Sequence, residues 1–209
     1  MGRMGVAQDE RRLLSELFTE RGPDAPTLCD PWRTRDLAAH LVLRERRFDA
    51  ALGILAKPLA AHARRVQDGY AAKPWAELVD LVRSGPPAWS PFALLDDVLN
   101  TVEYFVHHED VRRAADDWSP RSPDPRRDAA LWKGLARVAK LTYRASPVGV
   151  VLRRPDGESV TAKAGPNPVI LSGQVSELLM HAFGRARAEV EYDGDRDAVT
   201  AVKSLDRGV

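Results

Sequence analysis

Apolar residues recur at helical spacing through the first two thirds of the chain and at the two-residue spacing of strands after Pro147. The first helix is expected from about Val6 to Glu20, where a Gly-Pro pair breaks the pattern. Thr34 is the expected N-cap of a second, long helix that reaches about Leu55. Further helices, each bounded by Pro or Gly, are predicted over roughly residues 58–71, 75–82, 92–116 and 126–144.

The last third of the chain has the turn signals of a small mixed unit. A β-hairpin is predicted over about residues 148–164, around the turn Pro155-Asp156-Gly157. A strand near 169–171, a helix near 175–183, a strand near 188–192 and a helix capped by Asp195 follow. The chain is therefore expected to be mostly α, with an up-and-down helical bundle over residues 1–145 and a small α+β domain over residues 146–209.

The second predicted helix carries one residue that does not fit its apolar stripe. The stripe is formed by Leu37, Leu41, Phe48, Leu52 and Leu55. Arg44 falls in the middle of it. Two interpretations are open: the stem of Arg44 is buried while its guanidinium reaches water, or the guanidinium stays in a cavity and binds an anionic ligand.

The composition is that of a globular protein and narrows the possible partners. The 209 residues carry a net charge of +1, which argues against a dedicated nucleic-acid binder. The sequence shows no apolar stretch of membrane-spanning length and no signal-peptide core, so no membrane partner is expected. Cys29 is the only cysteine, which excludes an internal disulfide and fits a cytoplasmic protein; it is expected to be an inert or mildly exposed loop thiol. Arginines far outnumber lysines, a bias typical of GC-rich genomes such as those of actinobacteria.

The most informative polar residues lie on the predicted fifth helix. Glu103 and His107 are four residues apart, so both project from one face, with Asp110 between them in angle. His108 points toward the polar side and is expected to be solvated. A carboxylate and an imidazole at this spacing form half of a divalent metal site, although such pairs also occur as solvated or capping pairs.

His40 lies at the edge of the apolar stripe of the second helix, so two helices of one bundle can direct His40, Glu103 and His107 into one cavity. Three protein ligands leave a coordination position open, as in catalytic zinc sites. A lone histidine at a helix edge also occurs in a purely structural role, and that alternative stays open for His40. His62 and His181 have no partner pattern and are interpreted as structural.

Three segments resemble the mycothiol-dependent maleylpyruvate isomerase family, which belongs to the wider DinB-like metal-binding bundles. CDPWRTRDLAAHL at residues 29–41 resembles the start of the family's second bundle helix, and EYFVHHEDVRRA at residues 103–114 resembles its second metal segment. SGQVSELLMHAFGR at residues 172–185 resembles the Gly-Arg helix end of its C-terminal domain. The segments occur in the order of the family, and the match lies closer to an actinobacterial metal-binding branch of it than to the isomerases themselves.

This resemblance implies a DinB-like helical bundle followed by a small α+β domain similar to sterol-carrier folds. It implies zinc, or another divalent ion, held by His40, Glu103 and His107, with mycothiol as a cofactor. By position, Arg185 looks like the family's C-terminal arginine, which serves activity and is expected to bind the cofactor. Because Arg185 follows Gly184 at a helix end, it also fits a residue that only caps the last carbonyl groups.

Two functions remain open at this point. The first is a thiol transferase or isomerase, in which a small-molecule thiol acts on a small electrophilic substrate while Arg185 and Arg44 hold an anionic group. The second is a non-catalytic metal-binding protein with a regulatory or ligand-sensing role. An open metal position beside a basic pocket favours the first, and a closed four-ligand site favours the second. In either case the chain is expected to be a monomer or a homodimer.

Overall fold

The helices and strands are taken from a computed structural model of the chain, which describes residues 5–47, 49–51, 57–87 and 97–207. The helices are α1 (Val6–Arg21), α2 (Thr34–Arg46), α3 (Ala60–Ala71), α4 (Trp75–Ser84), α5 (Asp97–Arg112), α6 (Pro125–Thr142), α7 (Val175–Ala182) and α8 (Arg196–Lys203). The strands are β1 (Val150–Arg153), β2 (Ser159–Lys163), β3 (Val169–Ser172) and β4 (Glu191–Asp193). The prediction of a mostly helical chain with a small α+β unit at its C-terminal end is confirmed.

The first compact unit, Met1–Trp118, is a helical bundle. Helix α1 packs against α4 and α5, and α2 packs against α3 and α4. The apolar faces meet in a core that includes Leu14, Phe18, Leu37, Leu41, Leu78 and Tyr104. Within the described part of this unit no helix is long and apolar enough to cross a membrane, and the same holds for the described helices of the rest of the chain.

Helix α2 is shorter than the sequence predicts. It begins at Thr34, but Thr34 is not its N-cap: the Thr34 hydroxyl donates to the Gly22 carbonyl, while the Asp36 carboxylate accepts from the Arg33 N–H at 2.9 Å. The helix ends at Arg46, and Arg47 leaves helical geometry with φ −128° and ψ 77° while its guanidinium bonds to Asp49. The predicted continuation through Phe48, Leu52 and Leu55 falls on residues outside the described part of the chain.

Helix α5 holds the predicted metal segment, and its bounds also differ from the prediction. Within the described residues it begins at Asp97, whereas the predicted start near Phe92 lies outside them. It ends at Arg112 rather than near Asp116. Glu103, His107 and Asp110 therefore all stand within the regular part of the helix, where the assumed spacing of side chains holds.

The second compact unit, Ser119–Val209, contains a four-stranded sheet in the order β2-β1-β3-β4. Strands β1 and β2 form the predicted antiparallel hairpin, and β3 lies parallel to β1. Strand β4 pairs antiparallel with β3 and begins at Glu191, later than the predicted Ala188. Asp195 caps α8 as predicted, since its carboxylate accepts from the N–H groups of Asp197 and Ala198.

Helix α6 belongs to this second unit, so the boundary between the units lies after Trp118 instead of after residue 145. Its buried face, with Leu131, Leu135 and Ala139, packs against β2 and α7. The sequence places this helix with the bundle because its apolar period is the same whichever element it covers. The predicted assignment of residues 119–145 therefore differs from the contacts that this helix makes.

Candidate metal centre

Helices α2 and α5 bring the three predicted ligands together. Glu103 Oε1 lies 3.5 Å from His40 Nε2 and 3.4 Å from His107 Nε2. The two imidazole rings are 5.5 Å apart between centroids and meet edge to face. The three candidate ligand atoms all lie within 4.8 Å of one another, so the structure brings these side chains together as predicted.

The distances in this trio are compatible with ligands of one metal ion. Neighbouring ligands of a tetrahedral ion with bonds of about 2.1 Å lie about 3.4 Å apart. The two separations match that edge, and without an ion they are long hydrogen bonds from the two rings to Glu103. Two imidazoles and one carboxylate are also a ligand set that zinc and related divalent ions accept.

The trio is partly exposed at Glu103 and has a basic neighbour. Among the described residues, no fourth Cys, His, Asp or Glu joins the group. The Glu103 side chain is 22% exposed, while those of His40 and His107 are about half as exposed. Arg44 lies beside the trio. Its Nε is 3.5 Å from Glu103 Oε1, and its Nη1 donates to Asn100 Oδ1 at 2.9 Å. The guanidinium of Arg44 is thus directed at the site and is not carried into bulk solvent.

The second ring nitrogen of His107 is held by a buried carboxylate. His107 Nδ1 and Asp110 Oδ2 are 3.0 Å apart, and the Asp110 side chain is fully buried. A histidine that binds a metal through one nitrogen usually donates its other N–H to a carboxylate, which fixes the tautomer and the ring orientation. The sequence showed only that Asp110 lies between Glu103 and His107 in helical angle. In the structure Asp110 fixes the orientation of the His107 ring.

Cys29 is a member of this site that the sequence analysis missed. Its Sγ lies 3.0 Å from Asp110 Oδ2, and Cys29, His107 and Asp110 form a second close group. Cys29 is a partly exposed loop thiol, as expected, and its side chain is directed at α5. No periodic signal could have shown this, because Cys29 lies in an irregular loop 81 residues from its partner.

His108 is buried, which corrects the expectation that it is solvated. Only 6% of the residue is exposed, and its Nδ1 lies 3.0 Å from Glu10 Oε2. The reason is that α1 packs along this face of α5 and supplies the buried Glu10. His108 is still absent from the metal trio, as the helical angle predicts.

Without an ion, two members of the trio hold the charge state that a metal requires, and His107 does not. Burial lowers the pKa of His40, and the positive charges of His107 and Arg44 add to the effect, which outweighs the opposing influence of Glu103. Burial alone would raise the pKa of Glu103, but hydrogen bonds from His107 and His40 and the charge of Arg44 hold it well below its usual value. Glu103 is therefore ionised and His40 neutral near neutral pH, the states that a metal requires. Burial alone would lower the pKa of His107, but hydrogen bonds, the largest to Asp110, raise it well above its usual value, so a metal has to displace a proton from this ring.

His181, interpreted from the sequence as structural without partners, has two in the second unit. Its Nδ1 lies 2.6 Å from the Tyr143 hydroxyl and its Nε2 lies 2.8 Å from the Tyr192 hydroxyl. Burial, with a further contribution from Arg207, lowers the pKa of His181 to about 3. His62 fits the structural interpretation, since its exposed ring only contacts Asp49 at 2.9 Å.

Arg185 stands at the end of α7 in the second unit. Gly184 has a φ of 77°, and the Arg185 N–H bonds to the Met180 carbonyl, so the helix ends in a left-handed turn. The Arg185 guanidinium donates to the Phe183 carbonyl at 2.7 Å, which is the capping contact expected of an arginine here. Its further role in binding an anion stays a prediction.

Comparisons with family models and with curated proteins find no match. Among solved structures, the chain is similar to two crystal structures of the mycothiol-dependent maleylpyruvate isomerase. The first, of a histidine-to-alanine mutant, has 16% sequence identity and a TM-score of 0.62, and the alignment covers 90% of each chain. The second has 15% identity and a TM-score of 0.61, again over 90% of each chain. The chain therefore has the fold of the mycothiol-dependent maleylpyruvate isomerase, as its three sequence segments indicated.

Proposed function

We propose that the chain binds one divalent metal ion, with zinc the expected ion, through His40, Glu103 and His107. We further propose that it uses this site for thiol transfer, or thiol-assisted isomerisation, of a small electrophilic substrate. The expected thiol is mycothiol, the cofactor named for the proteins that share this fold. The single observation that carries the proposal is the trio itself, whose Glu103 oxygen lies 3.4 and 3.5 Å from the two histidine nitrogens.

The partial exposure of the trio at Glu103 supports a catalytic site over a closed structural one. Three protein ligands leave a position for an exogenous group. A divalent ion held there supplies a positive charge that lowers the pKa of a coordinating thiol, so that thiolate forms near neutral pH. Around that position, Asp110 holds the His107 ring by its Nδ1, and Trp32 packs against His40 at 5.1 Å between ring centroids.

Two arginines are proposed to bind anionic groups of the thiol or the substrate. Arg44 lies beside Glu103 with its side chain 16% exposed, so an anion that approaches the trio meets a guanidinium whose position Asn100 helps to fix. Arg185 is proposed for the same task because a guanidinium binds a carboxylate with two parallel hydrogen bonds, a geometry that lysine does not reproduce. Neither role is part of the metal-binding proposal, and each is tested separately.

Metal analysis of the purified chain tests the first step. We expect one equivalent of zinc after loading, and a His107→Ala variant that has lost stoichiometric binding, with affinity reduced by more than about 100-fold. His108→Gln is the matched control, since His108 is the neighbouring residue on α5 and bonds to Glu10 outside the trio. Equal losses in the two variants would contradict the assignment of ligands.

Thiol binding tests the second step and separates the two functions. We expect the zinc-loaded chain to bind mycothiol and the metal-free chain not to, as measured by calorimetry. Arg185→Lys is expected to keep the fold and the metal and to weaken thiol or substrate binding by more than about tenfold, whereas Arg196→Lys, at the exposed start of α8, is expected to change nothing. Stoichiometric zinc without thiol binding would instead support the non-catalytic, ligand-sensing alternative.

A further inference from the structure

The thiol of Cys29 shares an acceptor with the metal-site histidine. Asp110 Oδ2 lies 3.0 Å from Cys29 Sγ and also 3.0 Å from His107 Nδ1. One carboxylate oxygen thus accepts two hydrogen bonds, one from the Cys29 thiol in the loop before α2 and one from the His107 ring. Cys29 is thus linked to the His107 ring through Asp110 by two hydrogen bonds, and its thiol also reaches the ring directly.

The geometry distinguishes this second group from the metal trio. Its separations of 3.0 Å are those of hydrogen bonds, whereas the trio has separations of 3.4 and 3.5 Å, which match the edge of a metal tetrahedron. Cys29 shares its partner Asp110 with Nδ1 of His107, whereas Glu103 lies at Nε2. The thiol is therefore placed to support the ligand ring and not to bind the ion.

The backbone around Cys29 is fixed to the same residue of α5. The Leu28 N–H donates to the Asp110 carbonyl at 3.0 Å, so the loop is joined to Asp110 by main chain and by side chain. Within the loop, the Cys29 N–H donates to Thr27 Oγ1 and the Cys29 carbonyl accepts from Trp32. These bonds limit the positions that the thiol can take and direct it at the carboxylate.

We propose that Cys29 is a positioning residue: its thiol donates to Asp110, fixes the carboxylate that holds His107, and so sets the affinity and geometry of the metal site. This inference rests on the proposed metal-binding function. Removing a carboxylate that orients a ligand typically costs about 10- to 100-fold in metal affinity. Cys29 supports this carboxylate and is not itself the carboxylate, so loss of its donor is expected to cost less, about three- to tenfold.

Cobalt binding tests the inference without any assay of turnover. The affinity for Co²⁺ is measured by competition with a chelator, and the visible spectrum of the bound ion reports its coordination geometry. We expect Cys29→Ala to weaken Co²⁺ binding and to alter the spectrum, and Cys29→Ser, which keeps a donor, to restore both to within about twofold of the original. Cys29→Val, which also lacks a donor, replaces the alanine variant if that variant does not fold.

Ser15→Ala is the matched control, because it removes a buried hydroxyl from α1 that donates only to its own helix at Arg11. Unchanged Co²⁺ affinity and spectrum in Cys29→Ala would overturn the inference and leave the metal proposal intact. Equal losses in the serine and alanine variants, or a thiolate-to-cobalt absorption band, would also overturn it, since the sulfur would then act as a ligand. Absence of Co²⁺ binding by the unaltered chain would overturn the metal proposal and this inference together.

Discussion

His107 and His181 show how the surroundings decide what one imidazole does. His107 faces carboxylates on both sides, Glu103 at Nε2 and Asp110 at Nδ1. His181 faces two phenol hydroxyls, with the positive Arg207 close by. The first environment favours a cation near the ring, either a proton or a metal ion, and the second disfavours any positive charge.

The buried neutral state of His181 makes the stability of the second unit depend on pH. The pKa of His181 is about 3 in the folded protein and 6.5 in a model peptide, so below about pH 6.5 the unfolded chain binds a proton that the folded chain does not. The free energy of unfolding therefore falls as the pH falls, by up to about 2 kcal/mol at pH 5 from this residue. Denaturation of the original chain and of His181→Gln, at pH 7.5 and pH 5, measures the difference.

His181→Gln is the appropriate variant because its amide can still bond to Tyr143 and Tyr192 and does not titrate. Its stability is expected to decline less between pH 7.5 and pH 5 than that of the original chain. All other titrating groups are common to both proteins. An equal decline in the two would show that His181 is not the group responsible.

At the level of the helices, α7 is followed by a glycine whose left-handed backbone conformation other residues adopt only with strain. Gly184 follows α7 with a φ of 77°, where a Cβ atom strains the backbone. Gly69 lies inside α3, and a Cβ atom there would meet nothing within 4 Å. The same substitution is therefore expected to have opposite effects at the two positions.

Gly184→Ala is expected to destabilise the protein by about 1–2 kcal/mol, because alanine must adopt a left-handed conformation. Gly69→Ala is expected to stabilise it by up to about 1 kcal/mol, because alanine is the better helix former. Thermal unfolding of the two variants measures both effects. Destabilisation by both substitutions would contradict the description of the two backbones.

The spacing of residues predicted the helices and the closeness of Glu103 to His107 for the same physical reason. Glu103 and His107 share a face because they are one helical turn apart, a local property that no tertiary contact needs to supply. Which residues cover a given face of a helix is not a local property of its sequence. Glu10 and Cys29 reach α5 from 98 and 81 residues away, so the burial of His108 and the place of the thiol could not be read from the sequence.

The same limit explains the errors in the extent of the elements. The apolar face of α6 is visible in the sequence, but not that β2 and α7 are its partners. The end of α2 at Arg46 is marked by the non-helical backbone of Arg47, which no apolar period indicates. The partners of His181 likewise come from α6 and β4, which contribute Tyr143 and Tyr192 to it only once the unit is folded.

On the scale of the whole molecule, the proposed metal ligands all belong to one of the two compact units. His40, Glu103 and His107 lie in Met1–Trp118, and the sheet lies in Ser119–Val209. A ligand that binds only the folded state stabilises what it binds, by about 2.7 kcal/mol at 100 times its dissociation constant. Stabilisation by zinc is therefore expected to be concentrated in the bundle.

Hydrogen exchange with and without zinc measures this distribution. Amide exchange is expected to slow in α2 and α5 and to stay unchanged in β1, β2 and β3. Glu103→Gln, which removes the charged ligand, is expected to show little slowing at the same zinc concentration. Protection confined to the strands would place the ion in the other unit and contradict the assignment.

The contact between Trp32 and His40 gives the site its own optical reporter. Their ring centroids are 5.1 Å apart, so an ion bound at His40 lies close to the indole. Cobalt, which absorbs and is paramagnetic, is expected to quench the fluorescence of Trp32, and Trp32→Phe is expected to lose most of that quenching while it keeps the affinity for the ion. The chain has five tryptophans, so occupancy of the site can be followed in dilute protein, without added dye, from the part of the quenching that Trp32→Phe removes.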